Sequence, residues 1–149
     1  MMGVDTTFLV QLEIVESENH TAAWNFLRKK ILANKRILGL SAQVLSEFIH
    51  IVTDNRRFEK PLSMPEALEK AEYWWWAREV QQIYPDYKTS QVFFEWMKIF
   101  NLDRKRILDT FLAATYYSQG ITDIVSSDTR DFKVFGCFTT MDPTAFPPD

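Results

Sequence analysis

The spacing of apolar residues along the 149-residue chain predicts strands that alternate with helices. Short apolar runs bounded by polar residues indicate buried strands at residues 2–5, 36–40, 121–126 and 137–140. Between these runs, apolar residues recur at the spacing of amphipathic helices. Since no repeat or linker divides the chain, we expect one α/β domain with a mainly parallel sheet covered by helices.

Capping and turn residues set the boundaries of the predicted helices. Helical patterning follows the first strand through Val15, and further helices are predicted at 20–33, 42–54, 65–82, 89–100 and 104–118. Ser41 and Asp103 are suitable N-caps, and Gly120 suits a helix end. Residues 128–132 are predicted to form a turn or a short helix.

The composition is that of a soluble protein with one core, since 46% of the residues are hydrophobic and 25% are charged. We expect no membrane span and no signal peptide, because no long uncharged apolar run occurs. The single Cys137 cannot form an internal disulfide, which fits a reducing, cytoplasmic location. Three prolines after residue 142 predict an irregular Pro-rich tail at 143–149.

Carboxylates follow two of the predicted strands directly. Asp5 ends the first strand, and Asp128 comes two residues after the strand at 121–126. Ligands of parallel α/β sheets bind beyond the carboxyl ends of the strands, so both side chains are candidates for a site there. Each could instead cap the next helix, which is a common use of Asp.

Two further carboxylates lie on helices where charge is unfavourable. Glu47 borders the apolar arc of its predicted helix, and Asp109 lies in a helix that is apolar nearly all round. A buried carboxylate is costly unless it is paired, hydrogen-bonded or bound to metal. Several carboxylates in one crevice repel each other, and hard cations such as Mg²⁺ or Mn²⁺ would stabilise them. Such ions activate water for attack on phosphodiesters.

Four segments together resemble the PIN-domain ribonucleases, and more narrowly the VapC-type toxins of toxin–antitoxin pairs. They are VDT at 4–6, VLSEF at 44–48, ILDTFLAA at 107–114 and SSDTRDF at 126–132. The resemblance implies one PIN-like domain at 1–142, with a small, mainly parallel central sheet flanked by helices. It also implies catalytic, metal-binding carboxylates at Asp5, Glu47, Asp109 and Asp128.

The resemblance adds Asp131 as an auxiliary metal ligand and gives Thr6 and Ser127 supporting roles. Thr7 departs from the Asn or Ser that the family often has beside the first Asp. The implied activity is an Mg²⁺- or Mn²⁺-dependent endoribonuclease with a cognate antitoxin, and homodimers are common in the family. The alternative is a non-catalytic PIN-like module that binds RNA or protein. A small-molecule phosphohydrolase is disfavoured, because the 4 glycines form no phosphate loop.

The net charge of −3 does not indicate nucleic-acid binding by itself. Short basic clusters occur at 28–30, 35–36, 56–57 and 104–106, and each is also typical of a solvated helix end. Because they flank the acidic motifs, we predict that RNA phosphates contact Arg56, Arg57, Arg130 or Lys133.

Two other motifs have simpler explanations. Glu47 and His50 have the spacing of half a di-iron site, but the chain has no second such motif. The three tryptophans at 74–76 span about 200° of a helix surface, so they cannot all face one core. We expect at least one to be partly exposed, and one to lie in a protein–protein contact.

Overall fold

The computed structural model describes residues 1–146. In this part of the chain, five strands form one all-parallel sheet in the order β3-β2-β1-β4-β5. Their bounds are β1 Met2–Val4, β2 Leu38–Ser41, β3 Val80–Ile83, β4 Asp123–Val125 and β5 Thr139–Met141. The predicted α/β class and parallel sheet are confirmed.

Seven α-helices surround the sheet over the described residues: α1 Thr6–Glu13, α2 His20–Phe26, α3 Ala42–Val52, α4 Met64–Trp75, α5 Tyr87–Ile99, α6 Ile107–Ser118 and α7 Arg130–Lys133. A π-helical turn, Leu27–Leu32, extends α2, and a 3-10 turn, Arg104–Arg106, leads into α6. Asp103 caps this turn through the Lys105 amide, as predicted. No helix in residues 1–146 combines the length and hydrophobicity needed to cross a membrane.

The predicted helix at 65–82 is wrong in its second half. Helix α4 ends at Trp75, and Val80–Ile83 forms the edge strand β3, paired in parallel with β2. Two of the four strand residues are glutamines, and the preceding 77–79 segment contains good helix formers. Pairing with a distant strand therefore overrides the local preference.

A close approach at the centre of the sheet explains Gly3. A Cβ at this position would lie 2.7 Å from Ile124 Cδ1 and 3.1 Å from the Tyr116 ring. The fully buried Tyr116 hydroxyl lies 2.6 Å from the Val4 carbonyl oxygen and 3.2 Å from that of Gly39. Helix α6 is thus held against the ends of β1 and β2, next to Asp5.

The beginning of the predicted tail packs on the domain. Pro143–Ala145 forms a 3-10 turn, and the Phe146 ring meets Phe26 edge-on at 5.4 Å between ring centroids. Apolar contact thus outweighs the irregularity expected from the prolines. The remainder of that prediction, residues 147–149, lies outside the described residues.

The three adjacent tryptophans differ in burial, as the helix geometry requires. Trp74 is 1% exposed in the core, Trp75 is half-buried, and Trp76 is 74% exposed. The expectation of an exposed ring is confirmed. A protein contact at Trp76 stays a prediction.

Candidate active site

Asp5 lies at the carboxyl end of the sheet, between strands β1 and β4. Its carboxylate Oδ2 accepts hydrogen bonds from Ser126 Oγ at 2.6 Å and Thr7 Oγ1 at 3.1 Å. Its side chain makes no capping hydrogen bond to α1, so the alternative role as a helix cap is not observed. Burial is the main reason that the pKa of Asp5 rises to about 6, against the lowering effect of these hydrogen bonds.

Ser126 joins Asp5 to the loop that carries Asp128. The Ser126 hydroxyl is fully buried, donates to Asp5 and accepts the Asp128 backbone amide at 3.0 Å. The sequence interpretation selected Ser127 instead, whose hydroxyl accepts from Gln11 Nε2 and donates to Asp142. Ser127 therefore supports the loop and does not contact Asp5.

Glu47 lies in the second turn of α3 and is half-buried. The Thr6 hydroxyl donates to Glu47 Oε2 at 3.0 Å, and its supporting role stays a prediction. Gln43, one turn earlier in α3, donates to the Leu108 carbonyl oxygen at 2.8 Å. This bond, which the sequence did not suggest, holds α3 beside the first turn of α6, where Asp109 lies.

Asp109 is less buried than its apolar sequence context predicts. It is half-buried, because α6 leaves Ile107 and Leu108 exposed beside it. Its pKa nevertheless rises to about 6, first through burial and then through the negative charge of Asp131. The charges of Asp5 and Glu47 raise this pKa further, so the three carboxylates interact electrostatically.

Asp128 lies at the exposed margin of the site. Burial and the charge of Asp131 raise its pKa, while the nearby Arg130 lowers it. Asp142 also acts on it, whereas Asp5, Glu47 and Asp109 are not among the charges that shift its pKa. Asp128 is therefore linked to the inner carboxylates through Ser126 and Asp131.

Asp131, the predicted auxiliary ligand, is engaged by Arg106. The Arg106 guanidinium donates to Asp131 Oδ1 at 3.0 Å and also to the Asp131 backbone carbonyl. This ion pair joins the turn before α6 to α7. It also places the nearest cation beside Asp109, whose pKa the Arg106 charge lowers.

The predicted RNA-contacting residues occupy two different places. Arg56 and Arg57 follow the end of α3 and pair with Asp54 at 3.1 Å and 3.7 Å. Helix α3 begins at the carboxyl end of β2 and runs away from the sheet. Arg56 and Arg57 follow its last residue, so they lie farther from the carboxyl end of the sheet than Glu47 does. Arg130 and Lys133 lie exposed on α7, next to Asp128 and Asp131 in sequence.

The site suits a hard divalent cation by its donor chemistry. All its charged side-chain donors are carboxylates, and burial with mutual repulsion raises the pKa of Asp5 and of Asp109. In residues 1–146, no three His, Cys, Asp or Glu side chains already converge closely enough to hold a metal ion. The suitability of the site for a divalent cation therefore rests on its carboxylate ligands and on their raised pKa values.

A family model for the PIN domain matches residues 2–136, nearly the whole chain. This chain belongs to the PIN domain family. The four acidic motifs of this PIN domain all lie within the matched residues. No curated protein matches the chain significantly in sequence.

Solved structures similar to this PIN domain include toxin–antitoxin proteins. The chain is 19% identical to VapC20 of Mycobacterium tuberculosis, a sarcin–ricin loop cleaving toxin, with a TM-score of 0.64 over 83% of this chain and 87% of that one. It is 16% identical to Rickettsia felis VapBC2, solved bound to promoter DNA, with a TM-score of 0.67 and coverages of 95% and 97%.

A third similar structure is VapBC-1 of nontypeable Haemophilus influenzae. Its identity to this chain is 15% and its TM-score 0.65, with coverages of 96% and 98%. At these low identities, the likeness establishes that the PIN domain has the same fold as these proteins.

Proposed function

We propose that this PIN domain is a metal-dependent endoribonuclease that hydrolyses RNA phosphodiester bonds. The observation that carries the proposal is the pair Asp5 and Asp109, whose carboxyl pKa values rise to about 6 at the carboxyl end of the sheet. A structural carboxylate in such a place is normally neutralised by a cation. Within residues 1–146, the cation whose charge lowers the pKa of Asp109 is Arg106, which is already paired with Asp131.

Asp5 and Asp109 would hold Mg²⁺ or Mn²⁺ directly, with Glu47 and Asp128 completing the set and Asp131 as an auxiliary ligand. Bound there, such an ion lowers the pKa of a water and stabilises charge on the phosphate. Ser126 and Thr7 orient Asp5, and Thr6 orients Glu47. Neutralising the carboxylates removes the repulsion that separates them, so we expect them to move closer together when metal binds.

A toxin role with a cognate antitoxin is the biological setting we propose. VapC20 is a sarcin–ricin loop cleaving toxin, and VapBC2 and VapBC-1 are toxin–antitoxin assemblies. An antitoxin would bind this chain and control its access to RNA in the cytoplasm. The exposed Trp76 is a candidate for a contact with the antitoxin or with a second copy in a homodimer.

The second candidate is a non-catalytic PIN-like module that binds RNA or protein. It makes no use of repelling carboxylates, which cost stability wherever no cation neutralises them. The hydrogen bonds that orient Asp5 and Glu47 from hydroxyl donors have no evident purpose in such a module. We therefore favour catalysis.

The test is incubation of the full chain with total RNA in Mg²⁺, in Mn²⁺ and in EDTA. We expect discrete cleavage products with either ion and none with EDTA. Equal cleavage in EDTA would contradict the metal mechanism. RNA binding without cleavage in any of the three conditions would favour the non-catalytic module.

A further inference from the structure

Two short basic segments meet beside the acidic site. The first is the turn Arg104–Arg106 before α6, and the second is α7, Arg130–Lys133. The Arg106 guanidinium joins them through Asp131 Oδ1 at 3.0 Å and through the Asp131 carbonyl oxygen.

Arg106 points inward, whereas the neighbouring cations point to solvent. The Arg106 side chain is 23% exposed, and successive residues of a 3-10 turn are about 120° apart. The other cations of the two segments have exposed side chains: Arg104 and Lys105 in the first segment, and Arg130 and Lys133 in the second. The contact thus places two segments, each with two exposed cations, next to each other.

Some cations of the protein are held in ion pairs away from this site: Arg36 pairs with Asp123, Arg56 and Arg57 pair with Asp54, and Lys70 pairs with Glu13. Within residues 1–146, no ion pair includes any of the four. Four exposed cations on two adjoining segments, on a chain with a net charge of −3, are complementary to a polyanion.

Their position relates this group to the carboxylates. Asp109 follows the first segment by one turn of α6, and Asp128 immediately precedes the second. The Arg106 guanidinium lies 3.0 Å from Asp131 Oδ1, and the Gln43 bond to the Leu108 carbonyl oxygen holds the first turn of α6 beside the helix that carries Glu47. Both segments therefore lie beside the acidic site.

We propose that a single phosphate-binding surface holds the RNA backbone beside the acidic site, formed by Arg104, Lys105, Arg130 and Lys133. This inference rests on the proposed function, and it assigns no RNA contact to Arg56 and Arg57. The surface attracts the RNA backbone, which the carboxylates repel. It thereby holds the scissile phosphate close to the carboxylates. Its contribution is electrostatic and independent of sequence.

The experiment measures the affinity of a fluorescent single-stranded RNA for the full chain in EDTA, over a range of salt concentrations. Two variants each remove two charges of the surface: Arg104→Gln with Lys105→Gln, and Arg130→Gln with Lys133→Gln. The matched control, Arg56→Gln with Arg57→Gln, removes the same charge elsewhere. Thermal melts check that all three remain folded.

We expect each surface variant to reduce the slope of log affinity against log salt by about 1.4, since each single-strand phosphate contact contributes about 0.7. The control should keep the wild-type slope. An equal reduction in all three variants would overturn the surface, because it would reflect net charge alone. Unchanged slopes in both surface variants would also overturn the surface, because they would place the RNA elsewhere on the protein.

Cleavage by the wild type in Mn²⁺ separates this inference from the function on which it rests. If the wild type cleaves RNA and the surface variants bind and cleave it normally, only the phosphate surface is wrong. If the wild type neither binds nor cleaves RNA, the ribonuclease proposal fails and the surface fails with it.

Discussion

The two ends of helix α1 carry carboxylates in opposite electrostatic situations. At its last residue, the Glu13 side chain is 10% exposed and receives hydrogen bonds from Lys70 Nζ at 2.5 Å and Trp74 Nε1 at 2.8 Å. Just before its first residue, Asp5 receives hydrogen bonds from the neutral hydroxyls of Ser126 and Thr7, and no ion pair within residues 1–146 includes it. One carboxylate has a cation and the other has none.

This difference separates a structural carboxylate from a functional one. Lys70 neutralises Glu13, so the negative charge stays within the fold without a partner from outside. Burial raises the pKa of Asp5 to about 6, and the negative charge of Glu47 raises it further. The Asp5 carboxylate is therefore neutralised only when it binds a proton or a cation from outside the fold.

We expect the largest effect of any change from Asp5→Asn, on the rate of RNA cleavage. The change keeps the shape of the side chain but removes the charge that would bind metal. We expect RNA cleavage in Mn²⁺ to fall by at least about 100-fold, more than the usual cost of losing an outer-shell partner of a metal. The rise in melting temperature caused by Mn²⁺ should also shrink. Asp109→Asn should behave in the same way.

Melting curves with EDTA and with Mn²⁺ provide the control. In EDTA, Asp5→Asn should be at least as stable as the wild type at neutral pH, because it removes a repelling charge. A variant that is strongly destabilised in EDTA, yet still responds fully to Mn²⁺, would make Asp5 a structural residue like Glu13.

The pH dependence of the metal-free protein is the next largest effect. Since the pKa of Asp5 and that of Asp109 are raised from 3.8 to about 6 in the folded state, that state binds protons more tightly than the unfolded chain. The resulting stability is fully present below pH 3.8 and is lost as the pH rises through about 6. For the well-buried Asp5 the loss is roughly 3 kcal/mol.

Comparison with Asp5→Asn isolates this contribution from all other titrations. Urea unfolding in EDTA between pH 4 and 8 should show the wild type losing stability relative to the variant as the pH rises. Parallel curves for the two proteins would contradict the raised pKa of Asp5.

The residues that could be predicted are those whose role follows from the residues next to them in the sequence. Asp5 and Asp128 follow apolar runs, and Ser41 precedes an amphipathic helix whose amide it caps. Strand β3 could not be predicted, because its polar residues become a strand only by pairing with β2. The choice of Ser127 over Ser126 has a similar cause.

The strand register explains why Ser126 contacts Asp5. Val4 pairs with Val125, so the next residues, Asp5 and Ser126, lie side by side at the end of the two strands. The sequence predicts a mainly parallel sheet but not which strands are neighbours, so it does not indicate this contact. The contact of Arg106 with Asp131 likewise joins two turns 25 residues apart, and no local pattern indicates it.

Glu13→Gln should have the smallest effect and the opposite character. The amide still accepts from Trp74, but it leaves Lys70 without an anion. Because the Lys70 side chain is 38% exposed, water partly replaces the lost partner, so we expect a loss of about 1–2 kcal/mol in unfolding free energy. Cleavage and the Mn²⁺ response should equal those of the wild type, in contrast to Asp5→Asn. Urea unfolding and the RNA assay measure both. A Glu13→Gln variant that kept its stability but lost the Mn²⁺ response would place the metal-binding carboxylate at the other end of α1.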